Sequence, residues 1–261
     1  MSNLNLASKA EVLCTLGKHL ALYGAETRLI VQSVKEMAAD LGISKIDLGL
    51  TRTSITVKIF EGQEQVIEFA EINAFGINMS ALTDLHQVCL KVKDGKLKDP
   101  QKILQAINAV KVKTYNKKYL IFIEALAASA FAFLNGGNLE IMAATFCGGI
   151  VLMFVRFFLL GRGFFECFAF TVSAFCGSSF TLLVAKCLMQ LSTNEISLAV
   201  MSTTLLLVPG FPFMNGFLDV FKGYMDVGLS RLINASVLTM AAAIGLIGTV
   251  YLVYSPLWEQ L

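Results

Sequence analysis

Two stretches of this 261-residue chain carry residue types that could do chemistry. The first is "LLLVPGFPFMNGFLDVFKGYMDVGLSRL", residues 205–232, where Pro209-Gly210-Phe211-Pro212 cuts an apolar run. Prolines remove backbone donors and restrict the residues before them. Unpaired backbone is costly in lipid, so such a break survives only inside protein or beside a water-filled cavity. Asn215, Asp219, Lys222 and Asp226 follow at i, i+4, i+7 and i+11, one stripe of a helix. That spacing brings Lys222 within pairing reach of both Asp219 and Asp226. A helix restarting after Pro212 would also offer free backbone N–H groups to a carboxylate. The second stretch is "IVLMFVRFFLLG", with Arg156 among apolar neighbours, and Glu124 lies in the apolar run before it. An arginine at a helix centre costs about 2.5–3.5 kcal/mol on insertion scales and marks pathways or partners. Its planar fork suits a carboxylate.

Each of these residues has a plainer reading beside the chemical one. Arg156 could snorkel to the membrane edge, and Glu124 could pair with Lys117 or Lys118. The broken run could be a transporter's discontinuous helix lining a solute path, or a re-entrant connector whose stripe meets water. The sequence leaves both open. The candidate solute path is Arg156, Pro209, Gly210, Pro212, Asn215, Asp219, Lys222, Asp226 and Glu124.

The elements that must position them divide the chain by composition. It is 56% hydrophobic and 15% charged, well below the quarter usual in soluble domains, which indicates a membrane protein. The charge is concentrated in residues 1–118, which read as a small cytoplasmic α+β domain. Leu6, Ala10, Leu13, Leu16 and Leu20 give one helix over roughly 5–22. Ile30, Val34, Met37 and Leu41 give a second, ending at Gly42. "SITVKIF" and "QVIEFAEI" alternate around Glu61-Gly62 as a β-hairpin, with "KIDLGL" as a third strand. Two further helices follow, the second capped by Asp99 with Pro100 at its first position.

Residues 119–261 read as a transmembrane domain of five helices, about 119–136, 139–161, 164–191, 195–210 and 231–255. The fourth is broken by Pro and Gly and followed by an amphipathic connector. Lys111, Lys113, Lys117, Lys118, Arg156, Arg162, Lys222 and Arg231 lie at alternate ends of these spans. That pattern places the N-terminus in the cytoplasm and the C-terminus outside. Tyr251, Tyr254 and Trp258 fit an outer interfacial belt. Ala144-xxx-Gly148 and Ala241-xxx-Gly245 are small-residue pairs suited to close helix packing.

Other chemistry finds little support. His19 and His86 lack a nucleophile motif around them, and no GxxxxGK[ST] loop is present, so no enzyme activity is expected. The six cysteines form no CxxC pair, so neither a disulfide framework nor a metal site is expected. No cofactor is expected. The lysines between 91 and 113 read as a solvated face beside a membrane, not a nucleic-acid surface. "MSNLNLASKAEVLC" does not read as a cleaved signal peptide.

The quoted Pro-Gly-Phe-Pro stretch resembles the signature of the threonine/serine exporter (ThrE) family. "LYGAETRLIVQSVKEMAADLG", "GINMSALTDLHQV", "LNGGNLE" and "MFVR" extend the likeness over nearly the whole chain. The resemblance is to the split form of that family, in which a chain like this carries one membrane half and the soluble domain. It implies a bacterial inner-membrane secondary exporter of small carboxylates, succinate or a related dicarboxylate. It also implies a second small membrane subunit (YjjB-like) as partner, with a higher oligomer possible. A threonine/serine exporter subunit, or a membrane-anchored regulatory or scaffold protein, are the alternatives. The resemblance transfers no binding residues.

Overall fold

The computed structural model describes residues 2–73 and 76–254. The chain forms two units, one of residues 1–114 with 213–232, the other of residues 115–212 with 233–261.

The first unit is α+β. Helix α1 (Ser2–Leu22) buries Leu6, Leu13, Leu16 and Leu20, and α2 (Thr27–Asp40) buries Ile30, Val34 and Met37. Three strands follow: β1 (Lys45–Leu50), β2 (Ser54–Glu61) and β3 (Glu64–Glu71). They form an antiparallel sheet in sequence order, with Val57 opposite Leu48 on one side and Glu68 on the other. The period-2 pattern sends Ile55, Val57 and Ile59 into the core against the helices, while Thr56, Lys58 and Phe60 point away. Helices α3 (Met79–Lys93) and α4 (Pro100–Asn108) close that core with Leu85, Ile103 and Ile107. Asp99 caps α4 as its sequence indicates, accepting from the Gln101 N–H at 3.1 Å.

His19 sits on the inner half of α1, stacked on Tyr23, with its Nδ1 buried and without a partner among the described residues. Burial first, and Lys18 second, hold its pKa below the usual 6.5. The folded unit therefore prefers the neutral ring. The stability this represents is present above pH 6.5 and is lost as pH falls below it. A melting midpoint that drops between pH 7.5 and 5.5, and drops less in His19→Gln, is the expected result.

The second unit is a helix bundle. It contains α5 (Lys117–Leu134), α6 (Leu139–Gly161), α7 (Glu166–Leu183) with a π-helical turn at Val184–Leu188, and α8 (Thr193–Thr204). Helix α9 (Gly210–Phe221) and helix α10 (Met225–Thr249), which ends in a π-helical turn at Val250–Tyr254, pass from one unit's residues to the other's. Helix α6 packs on α5, α7 and α8, and α8 also packs on α5 and α7. The small residues mark the closest approaches. On α6, Gly148 lies against Thr181 and the Gly177 carbonyl of α7, and on α10, Gly245 lies against Thr171 and Ala174 of the same helix. Hydroxyls join the helices where backbones approach. Ser129 donates to the Met142 carbonyl at 2.6 Å, Thr171 to the Ala241 carbonyl at 2.9 Å, and Thr181 and Thr203 share a bond of 2.9 Å. In an apolar bundle such bonds contribute about 0.6 kcal/mol each.

Five spans are expected from the sequence, and the structure supports fewer by length and apolarity. Leu139–Gly161, Glu166–Leu188 and Met225–Val253 qualify, with a fourth if Thr193–Leu207 and Gly210–Phe221 form one broken span. The first expected span folds as α5, but its 18 residues include Lys117, Lys118 and Glu124. The last expected span starts at Met225, six residues before the position its apolar run suggests. Trp258 of the expected outer belt lies outside the described residues.

Candidate functional site

The polar stripe of α9 does not act as one helix face. Gly223 adopts φ +87°, a left-handed conformation that ends α9 and lets α10 start at Met225. Asp226 therefore belongs to the first turn of α10, where it is exposed, and the expected Lys222–Asp226 pair does not form. Lys222 pairs instead with Glu26, its Nζ lying 2.7 Å from Oε1 and 2.5 Å from Oε2. The two helices meet closely below this turn. A Cβ on Gly228 would lie 2.8 Å from the Gly216 carbonyl, so the α9–α10 hairpin leaves no room there.

The hairpin's other polar groups converge on the turn between α1 and α2. Gly24 makes that turn with φ +89°, and a Cβ there would meet the Gly76 carbonyl at 2.9 Å. The first N–H groups of a helix lack intrahelical partners. For α2 the residue at the cap position, Glu26, supplies no side-chain bond. Asp219, 192 residues away, does so: its Oδ1 accepts from the Thr27 N–H at 2.9 Å. Its Oδ2 lies 2.9 Å from Nη1 of Arg231. Arg231 also donates through Nη2 to the Ala25 carbonyl at 3.1 Å, and Asn215 donates through Nδ2 to the Gly24 carbonyl at 3.0 Å. Asp219 is fully buried, and Asn215 and Thr27 nearly so. A carboxylate at a helix N-terminus, clasped by a guanidinium, is a favourable arrangement for charge. Here both groups come from the chain itself, so the network fastens backbone to side chain.

Arg156 is in a different setting. It projects from α6 with its guanidinium carbon 4.7 Å from the centre of the Phe170 ring. Its Nε is buried with no hydrogen-bond partner among the described residues. Glu124 on α5 and Glu166 at the start of α7 are the carboxylates whose field reaches it, yet neither forms an ion pair with it. Glu124 is half-buried and makes no ion pair with Lys117 or Lys118 either.

The Pro-Gly-Phe-Pro block spans a break and a helix start. A short 3-10 turn at Leu205–Leu207 ends the α8 segment, Val208 is extended, and Pro209 falls in the gap. Helix α9 already begins at Gly210, so Pro212 sits in its first turn, where no N–H is missed. The restart expected after Pro212 thus occurs before it, at Gly210. Nothing lies within 4 Å of a Cβ placed on Gly210. Among the described residues no three His, Cys, Asp or Glu side chains gather as a metal-ligand group.

Comparison with known proteins fixes what kind of chain this is. The profile of the family described as "Putative threonine/serine exporter" (ThrE) matches residues 11–254. The chain belongs to the ThrE family. It is similar to the "Probable succinate transporter subunit YjjP" of Klebsiella aerogenes, 27% identical over 236 residues, covering 90% of each chain. The same-named protein of Escherichia coli K12 is 26% identical over 233 residues, 88% of this chain and 89% of the relative. An uncharacterized protein of Haemophilus influenzae is 25% identical over 128 residues, 48% of this chain and 42% of that one. No solved structure matches. The ThrE match takes in both the α+β unit and the bundle, and it contains Asn215, Asp219, Lys222, Arg231 and Arg156. Membership in this family and the apolar helices make the chain a multi-pass membrane protein. Arg231 and the turn at Gly24–Glu26 were not candidates from sequence. The pieces "LYGAETRL" and "GLSRL" carry them, but nothing in a linear pattern shows that they meet.

Proposed function

We propose that the chain is one subunit of a secondary exporter of small carboxylates, of the dicarboxylate class that includes succinate. In this reading it works in the bacterial inner membrane with a second, smaller membrane subunit. The family match supports transport, and the relatives' names support both the substrate class and the word subunit. Residues 1–118 lie in the cytoplasm, the helix that continues from them is the first of five spans, and the C-terminus is periplasmic. The alternation of basic residues along the chain supports that topology. Exporters of this kind use a gradient in place of nucleotide hydrolysis, in keeping with the lack of a GxxxxGK[ST] sequence.

The observation that carries the anionic substrate is Arg156. Its guanidinium lies among bundle helices, stacked on an aromatic ring and with an unused buried donor. An arginine that has given up water and has no carboxylate paired to it is suited to meet one from solution. Glu124 across from it would tune the field or carry a proton. The break at Pro209, with Gly210 and Pro212, gives the path its irregular backbone. Asn215, Asp219 and Lys222 are committed to the α1–α2 turn, and we assign them to holding the path and not to lining it.

The test is efflux from proteoliposomes holding this chain and its co-purifying membrane subunit, loaded with succinate. Arg156→Gln lowers succinate efflux about ten- to a hundredfold, the loss of one charge-assisted contact of about 1.5–3 kcal/mol. Arg156→Lys falls between, because it keeps the charge and loses the fork. Wild-type efflux by Arg156→Gln would remove this arginine from the path. Efflux of threonine or serine in place of succinate would move the chain to the amino-acid branch of the family. No solute flux with either would leave a regulatory role.

A further inference from the structure

The network at the α1–α2 turn has no role in the solute path as proposed above, yet it absorbs most of the polar residues that follow the Pro-Gly-Phe-Pro block. We infer that Asp219, Arg231, Asn215 and Lys222 are positioning residues for transport. They bind the α9–α10 hairpin to the N-terminal α+β domain as one body, so that the domain fixes where the chain restarts after Pro209. The inference rests on the exporter reading for its functional half.

Four contacts carry it, each joining residues 191 or more apart in sequence. They are Thr27 N–H to Asp219, Asn215 to the Gly24 carbonyl, Arg231 to the Ala25 carbonyl, and Lys222 to Glu26. Two main-chain carbonyls and one main-chain N–H of a single turn are thereby held by side chains of one hairpin. Main-chain groups of a turn have fixed relative positions, so three such bonds determine the hairpin's orientation as well as its distance. The hairpin is itself stiff. Gly216 and Gly228 bring α9 and α10 together at van der Waals contact, and the Tyr224 N–H closes the connection on the Asp219 carbonyl at 2.8 Å. Helix α9 begins at Gly210, one residue past Pro209, and is continuous to Phe221. Whatever fixes Asn215 and Asp219 therefore also fixes the direction in which α9 leaves the break. An ammonium and a guanidinium in this network are both spent on protein groups, unlike Arg156.

The test uses the full chain with its co-purifying subunit, in a background with the six cysteines replaced. Turnover of succinate is counted per folded molecule, since a purely structural role changes the number of folded molecules and not their rate. Asp219→Asn is expected to lower that turnover by about tenfold or more, as misplacement remote from a reacting site does. A short bis-maleimide joining cysteines placed at Glu26 and Lys222 is expected to restore turnover in Asp219→Asn and to leave it unchanged where Asp219 is intact. Spin labels on Arg28 and Phe221 are expected to give one narrow distance in wild type that broadens in Asp219→Asn. Wild-type turnover per folded molecule in Asp219→Asn would overturn the inference, as would loss of turnover on bridging the intact clamp, which would make it a latch that must open. If wild-type vesicles pass no succinate, the exporter reading fails separately. The spin labels then decide the one-body claim, with an unbroadened Asp219→Asn distance refuting it.

Discussion

Replacing Asp219 by alanine is expected to destabilise the first unit by on the order of 3–5 kcal/mol, the cost of stranding one member of a buried ion pair. The substitution leaves the Arg231 guanidinium facing an empty site, with its side chain only 13% exposed. It also removes the cap of α2, which adds about 1 kcal/mol. The number is large because of what remains and not because the pair itself is strong. If that is right, removing the second charge as well helps. The double variant Asp219→Ala/Arg231→Met is expected to be more stable than Asp219→Ala alone, since no buried charge is left unpaired. Lys222→Ala serves as the contrast. Its pair with Glu26 leaves side chains 27% and 24% exposed, and a pair of that kind is worth no more than about 1 kcal/mol. Thermal unfolding of the purified chain in detergent, followed by a probe in the α+β unit, measures all three. Equal losses for Asp219→Ala and Lys222→Ala would mean that the buried pair is already screened by water.

The order of these effects shows why some of the structure is legible in the sequence and some is not. The α+β elements follow from local patterns, because a 3.6 or a 2.0 period states directly which face is buried. Met37 and Val57 are inside for that reason. The helix cap at Asp99 is equally local. The stripe of Asn215, Asp219 and Lys222 is visible too, but a stripe names a face and not what covers it. Its partners are backbone carbonyls of Gly24 and Ala25, which have no side-chain signature. The i,i+4 rule supplied nearby partners for Lys222, and a glycine at φ +87° removed one of them by ending the helix. Gly223 was the signal for that break, masked by the regular spacing of charges on either side. The family resemblance covers these residues as a block, but a signature does not say whether it binds solute or holds the fold. Span counting met a similar limit. Helix α5 has the length of a span, but three charges in its 18 residues set it apart from α6, α7 and α10.

Gly245→Ala is expected to be among the most damaging single methyls that can be added to the bundle. Its Cβ would fall on the Thr171 carbonyl and lie 2.8 Å from the Ala174 Cβ and 2.9 Å from the Phe175 N. Those are main-chain atoms and a side chain with no freedom, so α10 must move away from α7. The overlap costs about 1–3 kcal/mol. The same movement stretches two bonds that join these helices, Thr171 to the Ala241 carbonyl at 2.9 Å and Ser178 with Thr249 at 2.5 Å. Each contributes about 0.6 kcal/mol in a membrane bundle. Gly210→Ala is the matching control, because a Cβ there meets nothing within 4 Å. An alanine in the first turn of α9 is neutral or slightly stabilising, since it narrows the unfolded chain's conformations. Melting in detergent is therefore expected to fall sharply for Gly245→Ala and to hold for Gly210→Ala. Comparing the two also separates folding from transport. If Gly210→Ala melts as wild type and still loses succinate efflux, the loss belongs to the path at the Pro209 break. Were Gly245→Ala to melt as wild type, the close approach of α10 to α7 would be wrong, and with it the packing reading of the Ala241-xxx-Gly245 pair.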